Sequence, residues 1–461
     1  MTTTHPREII IAGAGLAGSL LAIFLARQGH DVRMFERRGD PRQVDRSDGR
    51  SINLALARRG ITALQEAGVS ASAMQYALPM HGRMIHDRQG KTRFQRYGSR
   101  EQECIYSMHR ERLNQALLDD AEAAGVTVEF HRTVLQYRAQ QAQLLFEDGE
   151  CLDLSERLLV GADGAGSIIR KGLLEGQPLA GVEWLDHGYR ELSIPPSPGR
   201  SFAMEAGALH IWPRGGYMLI ALPNPDRSFT ATLFLPHEGE PGFTQLDSPE
   251  RIRDFFQQQF PDAFKAMPGL IDEFETNPVG RLGTLHCRQW HDRRTVLVGD
   301  AAHAIVPFHG QGMNAGFEDC VLLTRLLRDY PSAPADAFAH FQRQRQRDTD
   351  AIARMALENY IEMRDSVSDP RFLERKKLEQ HLEAHFPERF IPRYSLVMFH
   401  TLPYAQVYER GLANQAVLDE IMARHEDPLA MDPQRFAAQV KQLAIIDPDP
   451  PMALRPHNEP A

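Results

Sequence analysis

Gly13-Ala14-Gly15-Leu16-Ala17-Gly18 follows the apolar run Ile9-Ile10-Ile11-Ala12 and opens an uncharged stretch, Leu16 to Ala26. A buried strand that turns sharply into a helix reads this way. Gly13 suits the tight turn, Gly15 lets backbone amides approach a phosphate, and Gly18 permits close packing of helix on strand. The helix begins at Leu16 and Ala17, and its N-terminus favours an anionic pyrophosphate. Glu36 ends the next strand-like run, Val32-Arg33-Met34-Phe35, where a carboxylate can accept hydrogen bonds from the hydroxyls of an adenosine ribose. Arg37 and Arg38 follow it directly and join the candidate nucleotide contacts.

Two further motifs lie at later strand ends: Gly161-Ala162-Asp163-Gly164 after Leu158-Leu159-Val160, and Gly299-Asp300 after Val296-Leu297-Val298. The first cradle alone suits NAD as well as FAD, and each later motif alone reads as an ordinary turn. Together they favour the longer dinucleotide, whose pyrophosphate, ribityl chain and ring need contacts from distant segments that meet where strand ends converge. Asp300 is then a ligand for ribityl hydroxyls. Gly310-Gln311-Gly312-Met313-Asn314 can bring backbone amides and a helix N-terminus to the flavin pyrimidine edge, where reduction places negative charge.

The 461 residues, 42% of them hydrophobic, can bury two or three domains. Lysine and arginine total 52 against 61 acidic residues, a net charge of −9, so nucleic acid is not an expected partner. Cys104, Cys151, Cys287 and Cys320 are far apart, without metal-ligand or disulfide-framework spacing, which predicts no metal site and fits a reducing cytoplasm. The uncharged run Ile9 to Ala26 approaches the length of a membrane span, but its glycine spacing assigns it to an α/β core. No membrane association is expected.

The predicted fold class is α/β: a Rossmann-like FAD-binding domain with an inserted antiparallel-sheet substrate domain and a helical C-terminal region. Residues 1–80, 106–186 and 286–335 form the three parts of the FAD-binding domain, and 81–105 is a segment of the substrate domain. Residues 187–285 carry short β-type runs separated by Arg214-Gly215-Gly216 and Pro223-Asn224-Pro225-Asp226, as in an antiparallel meander. Residues 336–446 read as mostly helical and 447–461 as a flexible tail.

With its three motifs in this order, the chain resembles the para-hydroxybenzoate hydroxylase-like flavoprotein monooxygenases. More narrowly, Arg50-Ser51-Ile52-Asn53-Leu54-Ala55-Leu56, Val306 to Asn314, Leu357 to Met363 and Arg389-Phe390-Ile391-Pro392-Arg393-Tyr394-Ser395 resemble the kynurenine 3-monooxygenase family, over a span from about residue 8 to about residue 410. The resemblance implies hydroxylation of L-kynurenine at ring carbon 3 through a flavin C4a-hydroperoxide, with FAD as cofactor, NADPH as transient reductant and molecular oxygen as co-substrate. It carries substrate-binding roles onto Arg83, Tyr97, Asn359 and Tyr404, and FAD contacts onto Ala55, Arg110, Leu135 and Asp300.

The residues themselves are compatible with those roles. Arg83 offers a planar guanidinium for an amino-acid carboxylate and Tyr97 a neutral hydroxyl, although an exposed Arg-Tyr pair has the same sequence appearance. Asn359 shares a helical face with Ile352, Met355 and Met363, so an amide interrupts an apolar stripe and needs a partner, either substrate or nearby backbone. Glu362 can meet a substrate ammonium or reach solvent. Phe308 and His309 precede the flavin-facing glycines and can pack on the substrate ring. No side chain is assigned as catalytic, because the flavin performs the chemistry. A hydroxylase of another aromatic acid, or a non-hydroxylating FAD-binding redox protein, remains open at this stage. No second Rossmann unit is apparent for the nicotinamide, and the C-terminal helices read equally as a pocket cover or a subunit interface, so the oligomeric state is left undetermined.

Overall fold

The structure, a computed structural model, describes residues 8–43, 53–98, 100, 103–199, 201–366 and 370–446. Arg50, Ser51, Ile52 and the expected tail 447–461 lie outside the described residues. The first glycine motif sits in a parallel sheet of five strands, ordered Thr295–Leu297, Leu158–Gly161, Glu8–Ala12, Asp31–Phe35, Thr127–Glu129. Every adjacent pair is parallel. Its Ile, Leu and Val runs are buried because helices cover the sheet, as parallel sheets require. Leu20, Leu21, Ile23 and Leu25 of the helix Leu16–Arg27 have no exposed surface.

This strand order decides where the site lies. Glu8–Ala12, Leu158–Gly161 and Thr295–Leu297 are adjacent and run the same way. Their C-terminal ends therefore bring Gly13, Asp163 and Gly299 to one edge of the sheet, although up to 286 residues separate them in sequence.

A second sheet has seven strands, ordered Gly280–Cys287, Ala180–Ile194, Phe229–Pro236, Met218–Pro223, Ala208–Pro213, Gly82–His86, Thr92–Arg96. The meander expected from the turn signals is present, with two departures. Ala208–Ile211 pairs in parallel with Gly82–Ile85, because the latter strand arrives from the earlier segment of the chain instead of through a hairpin. The helices Pro249–Gln259, Pro261–Ala266 and Leu270–Thr276 also belong to this region and bury Phe256, Phe260 and Phe274 against the sheet around Trp212 and Phe229.

Alternation along these strands separates two functions. Arg83, Ile85 and Ile211 face a cavity, while His86, His210 and Trp212 face the helices. On that second face Asp262 accepts from Trp212 Nε1 at 3.0 Å and lies 2.6 Å from His86 Nδ1. His86 Nε2 lies 2.8 Å from His210 Nδ1, and His210 Nε2 is 2.8 Å from the Glu205 carbonyl oxygen. That carbonyl can only accept, so His210 donates there and its Nδ1 accepts from His86.

Burial holds His210 down to about 4 from its ordinary 6.5. Between those values the unfolded chain binds the extra proton and the folded chain does not, so this contribution to stability is complete above the unfolded value and is lost as pH falls toward 4. The loss amounts to about 3 kcal/mol. We expect the denaturation midpoint to drop over that window, and His210→Gln to show a shallower drop. Coincident pH profiles for the two proteins would assign the acid sensitivity elsewhere.

The C-terminal region is helical, as expected, with Pro334–Ile361, Pro370–His385, Arg393–Phe399 and Tyr404–Arg424 as its main elements. A wider π-type turn, Glu362–Ser366, follows the first of them. Leu378, Leu382, Phe390, Val417, Leu418 and Ile421 form a local core. Among the described residues no helix is long and apolar enough to cross a membrane.

Candidate functional site

Gly13 adopts φ +100°, and a methyl group there would come 2.5 Å from Ala162 O. At Gly18 a methyl would lie 2.1 Å from Gly13 O. Gly15 differs, since a methyl there would meet nothing within 4 Å. Protein fills the space beside the outer two glycines, and the middle one faces the open side of the cradle. The helix that begins at Leu16 has no side-chain cap and no acidic residue in its first turn, so its N-terminal amides are free for an anion.

Glu36 accepts from the Ala14 amide at 3.0 Å and from the Arg38 amide at 3.0 Å, using one carboxylate oxygen for each. Each oxygen retains acceptor capacity for a ribose hydroxyl. Arg37 and Arg38 are exposed beside it. Leu135 stands 56% exposed on the strand Val134–Arg138 of a separate three-stranded sheet, three residues after Arg132, whose amide donates to Glu36 O at 2.9 Å.

Asp163 takes a different part from a free ligand. Its carboxylate accepts from Ser167 Oγ at 2.5 Å and from the Ile168 amide at 2.6 Å, fixing the turn into the helix Ile168–Leu174. Arg170 of that helix donates to Ala301 O at 2.7 Å and thereby ties this turn to the Gly299-Asp300 turn. Asp300 itself is exposed, and its Oδ1 lies 3.9 Å from where a Gly312 methyl would stand.

The helix Gly312–Asp329 likewise lacks a side-chain cap and a first-turn acid. Its first turns pack on the other two motifs: a methyl at Gly299 would lie 3.3 Å from Ala17 Cβ and 4.0 Å from Gly316 Cα. Asn314 is wholly buried. It accepts from the Ala57 amide at 3.0 Å and donates to Ala55 O and Gly310 O at 2.9 Å each, so its side chain pins the strand Asn53–Leu56 to the Gly310 turn. Met313 is half-buried beside it. Arg110 opens the helix Arg110–Ala123 and is exposed; burial pushes the nearby Glu191 carboxyl up, and the Arg110 charge offsets only part of that. An open-sided glycine cradle, two uncapped helix N-termini and a free carboxylate between them suit FAD.

A cavity of about 830 Å3 lies between the outer strands of the seven-stranded sheet and the helix Pro370–His385, and Arg83, Tyr97, Glu362 and Met363 all line it. Arg83 Nε and the Tyr97 hydroxyl are buried there beside Tyr394, and among the described residues neither atom has a partner of full hydrogen-bond geometry. Glu362 pairs with Lys376 at 3.3 Å. Phe308, His309 and Asn359 form the layer behind. Asn359 donates to Phe308 O at 2.7 Å, which is the backbone alternative left open by its sequence. Phe308 stacks on Tyr360 with ring centroids 3.8 Å apart. Burial, followed by the charge of Arg393, holds His309 down to about 3.

Tyr404 is not among the residues that line the cavity. It is wholly buried behind it, and its hydroxyl donates to Gln311 Oε1 at 2.7 Å. Tyr394 lines the cavity, beside Tyr97. Its ring stacks on Tyr97 at 5.5 Å and on His309 at 5.5 Å, and the Arg83 guanidinium sits 4.4 Å from its centroid. Tyr394 lies inside the Arg389–Ser395 string that carries the resemblance, and the sequence reading assigned it no role. The available signal was an aromatic hydroxyl within a distinctive string. The buried ion network of Arg59, Glu318, Asp319 and Arg345 had no such signal, because its members come from three separate helices.

Comparison with known proteins matches residues 7–355 to the family described as FAD binding domain. Kynurenine 3-monooxygenase of Stenotrophomonas maltophilia (strain K279a) is 46% identical over 447 residues, covering 96% of this chain and 98% of that protein. Kynurenine 3-monooxygenase of Xanthomonas oryzae pv. oryzae (strain MAFF 311018) is 47% identical over 437 residues, 94% of this chain and 96% of that protein. Among solved structures, 2-methyl-3-hydroxypyridine-5-carboxylic acid oxygenase superposes with a TM-score of 0.64 at 22% identity, covering 80% of this chain and 95% of its own. PqsL of P. aeruginosa in complex with 2-aminobenzoylacetate gives 0.63 at 21%, covering 77% and 95%. These two likenesses concern the fold.

Proposed function

Since this chain belongs to the FAD binding domain family and, within it, to the kynurenine 3-monooxygenases, we propose that Arg83, Tyr97 and Tyr394 clamp the carboxylate of L-kynurenine while its ring lies toward the flavin. The enzyme is an FAD-dependent aromatic monooxygenase that hydroxylates L-kynurenine to 3-hydroxy-L-kynurenine, using molecular oxygen and a reduced nicotinamide. The observation that carries the clamp is the buried cluster of Arg83, Tyr97 and Tyr394 at one wall of the 830 Å3 cavity, where Arg83 Nε and Tyr97 OH have no partner of full hydrogen-bond geometry among the described residues. A buried donor without a partner costs about 1–3 kcal/mol, and an incoming carboxylate relieves that cost.

Bound FAD supplies electron transfer from the nicotinamide and activation of oxygen. The Leu16 helix N-terminus and Gly15 would hold its pyrophosphate, Glu36 the adenosine ribose and Asp300 the ribityl hydroxyls, while the amides of Gly312, Met313 and Asn314, with Ala55 and Arg110, would hold the flavin end. Met363 at the cavity wall, backed by Phe308 and the neutral His309, gives the substrate ring apolar surroundings that keep water from the activated oxygen. The aniline nitrogen of the substrate already enriches the ring ortho to it, so no side-chain base is required. His309, held neutral by its surroundings, serves as packing. Glu362 exchanges Lys376 for the substrate ammonium. We further propose NADPH as the natural reductant and a reducing compartment such as the cytoplasm, which the four free cysteines support.

Purified yellow protein given L-kynurenine and NADPH is expected to form a product heavier by a single oxygen at ring carbon 3, with NADPH oxidised faster when kynurenine is present. NADPH oxidation indifferent to kynurenine, with no hydroxylated product, would refute the assignment. The same assay with NADH separates the coenzyme proposal from the reaction.

A further inference from the structure

We infer that Tyr404 is a positioning residue for the Gly310–Asn314 loop, acting on it through Gln311, and that it couples the start of the C-terminal helix to the flavin. This rests on the proposed placement of the Gly312 helix N-terminus at the flavin pyrimidine edge.

Gln311 has no exposed surface, and it immediately precedes the uncapped amides of Gly312 and Met313. Its own carbonyl accepts from the Ala315 amide at 2.8 Å, so its backbone is the first link of that helix. The side-chain oxygen accepts from Tyr404 OH at 2.7 Å, and the side-chain nitrogen rests 3.3 Å from Met398 Sδ and 3.5 Å from His309 O. Among the described residues the tyrosine bond is the shortest hydrogen bond of this side chain. Without it a buried amide oxygen lacks a donor, and the side chain turns to find one and shifts the loop with it.

Tyr404 is held firmly enough to act as a reference point. Its ring lies 3.9 Å below the guanidinium of Arg59. Arg59 has no exposed side-chain surface, pairs with Glu318 at 2.7 Å, and donates to the carbonyls of Leu402, just before the Tyr404 helix, and of Val397, in the preceding helix Arg393–Phe399. Glu318 also meets Arg345 at 3.1 Å, and Arg345 meets Asp319 at 2.7 Å. Asp319, wholly buried, accepts from the Gly299 amide at 2.9 Å. The Ala405 amide donates to Asp348 on the Arg345 helix at 3.0 Å. One buried network therefore runs from Gly299, beside Asp300, through Asp319, Arg345, Glu318, Arg59 and Tyr404 to Gln311, beside Gly312. The two turns proposed to hold the flavin are tied to the first residue of the C-terminal helix, while Tyr394, on the preceding helix, lines the substrate cavity.

Amides held at the pyrimidine edge favour the reduced, more negative ring, so slackening them should weaken reduced flavin relative to oxidised. Tyr404→Phe keeps the ring under Arg59 and removes only the hydroxyl. We expect the holoenzyme of this variant to hold reduced flavin up to about tenfold less tightly relative to oxidised, which is a fall of about 30 mV in a two-electron midpoint potential. Less hydroxylated product should form per NADPH, and the KM for L-kynurenine should stay within about twofold, since a loop effect is not a substrate contact. Gln311→Leu should lower the potential similarly, and the double variant should add little to either single change. A large rise in KM with the potential unmoved would make Tyr404 a substrate contact and overturn the inference, as would a potential unchanged in both variants. If Tyr404→Phe does not fold, Gln311→Leu decides alone on the same readout. Failure of the underlying reading looks different: the unmodified protein would itself retain no FAD or would not respond to kynurenine.

Discussion

Arg83→Ala is expected to raise the KM for L-kynurenine about a hundredfold while FAD remains stoichiometrically bound, because a buried charge clamp contributes about 3 kcal/mol or more to an anionic ligand. The side chain stands on the strand Gly82–His86, in the seven-stranded sheet, whereas the glycine cradle belongs to the parallel sheet. Loss of the guanidinium therefore leaves the cofactor contacts intact. It also leaves the Tyr394 and Tyr97 rings without the cation that lies 4.4 Å and 5.7 Å from their centroids. Arg83→Lys should recover only part of the affinity, since a lysine ammonium cannot bind a carboxylate through two parallel hydrogen bonds. Substrate titrations followed through the flavin absorbance, together with the flavin-to-protein ratio, test both statements. A colourless Arg83→Ala protein would give the residue a structural part, and an unchanged KM would remove it from the clamp.

The cradle glycines should separate folding from cofactor binding. Gly18→Ala puts a methyl 2.1 Å from the Gly13 carbonyl oxygen, a backbone atom that cannot swing aside. Overpacking of this kind costs about 3 kcal/mol or more, so the variant should melt well below the parent and carry little FAD. Gly15→Ala meets nothing within 4 Å in the protein. Its fold should survive, and its methyl should collide with the incoming pyrophosphate, weakening FAD at least tenfold, about 1.4 kcal/mol. Thermal melts and FAD titration of the two variants give the comparison. Equal FAD affinity in Gly15→Ala and the parent would move the pyrophosphate away from this turn, and an unaltered melting curve for Gly18→Ala would contradict the close packing of helix on strand.

The amino-acid sequence by itself determined the nucleotide cradle, the three strand-end motifs and the helical character of the C-terminal region. These follow from local rules: a glycine needed at φ +100° or against a neighbouring backbone is required whatever the remaining chain does. Arg83 and Tyr97 came only through the resemblance, because by themselves they have the sequence appearance of an exposed pair. Tertiary structure alone decided which tyrosine joins them. Tyr394 and Tyr404 are ten residues apart on successive helices, and only packing turns one ring to the cavity and the other under Arg59. It likewise decided that the Asp163 carboxylate is engaged in its own turn and that Ala208–Ile211 pairs in parallel with Gly82–Ile85. Such outcomes depend on the neighbours that distant segments supply, and side-chain direction and hydrogen-bond competition are settled among those neighbours.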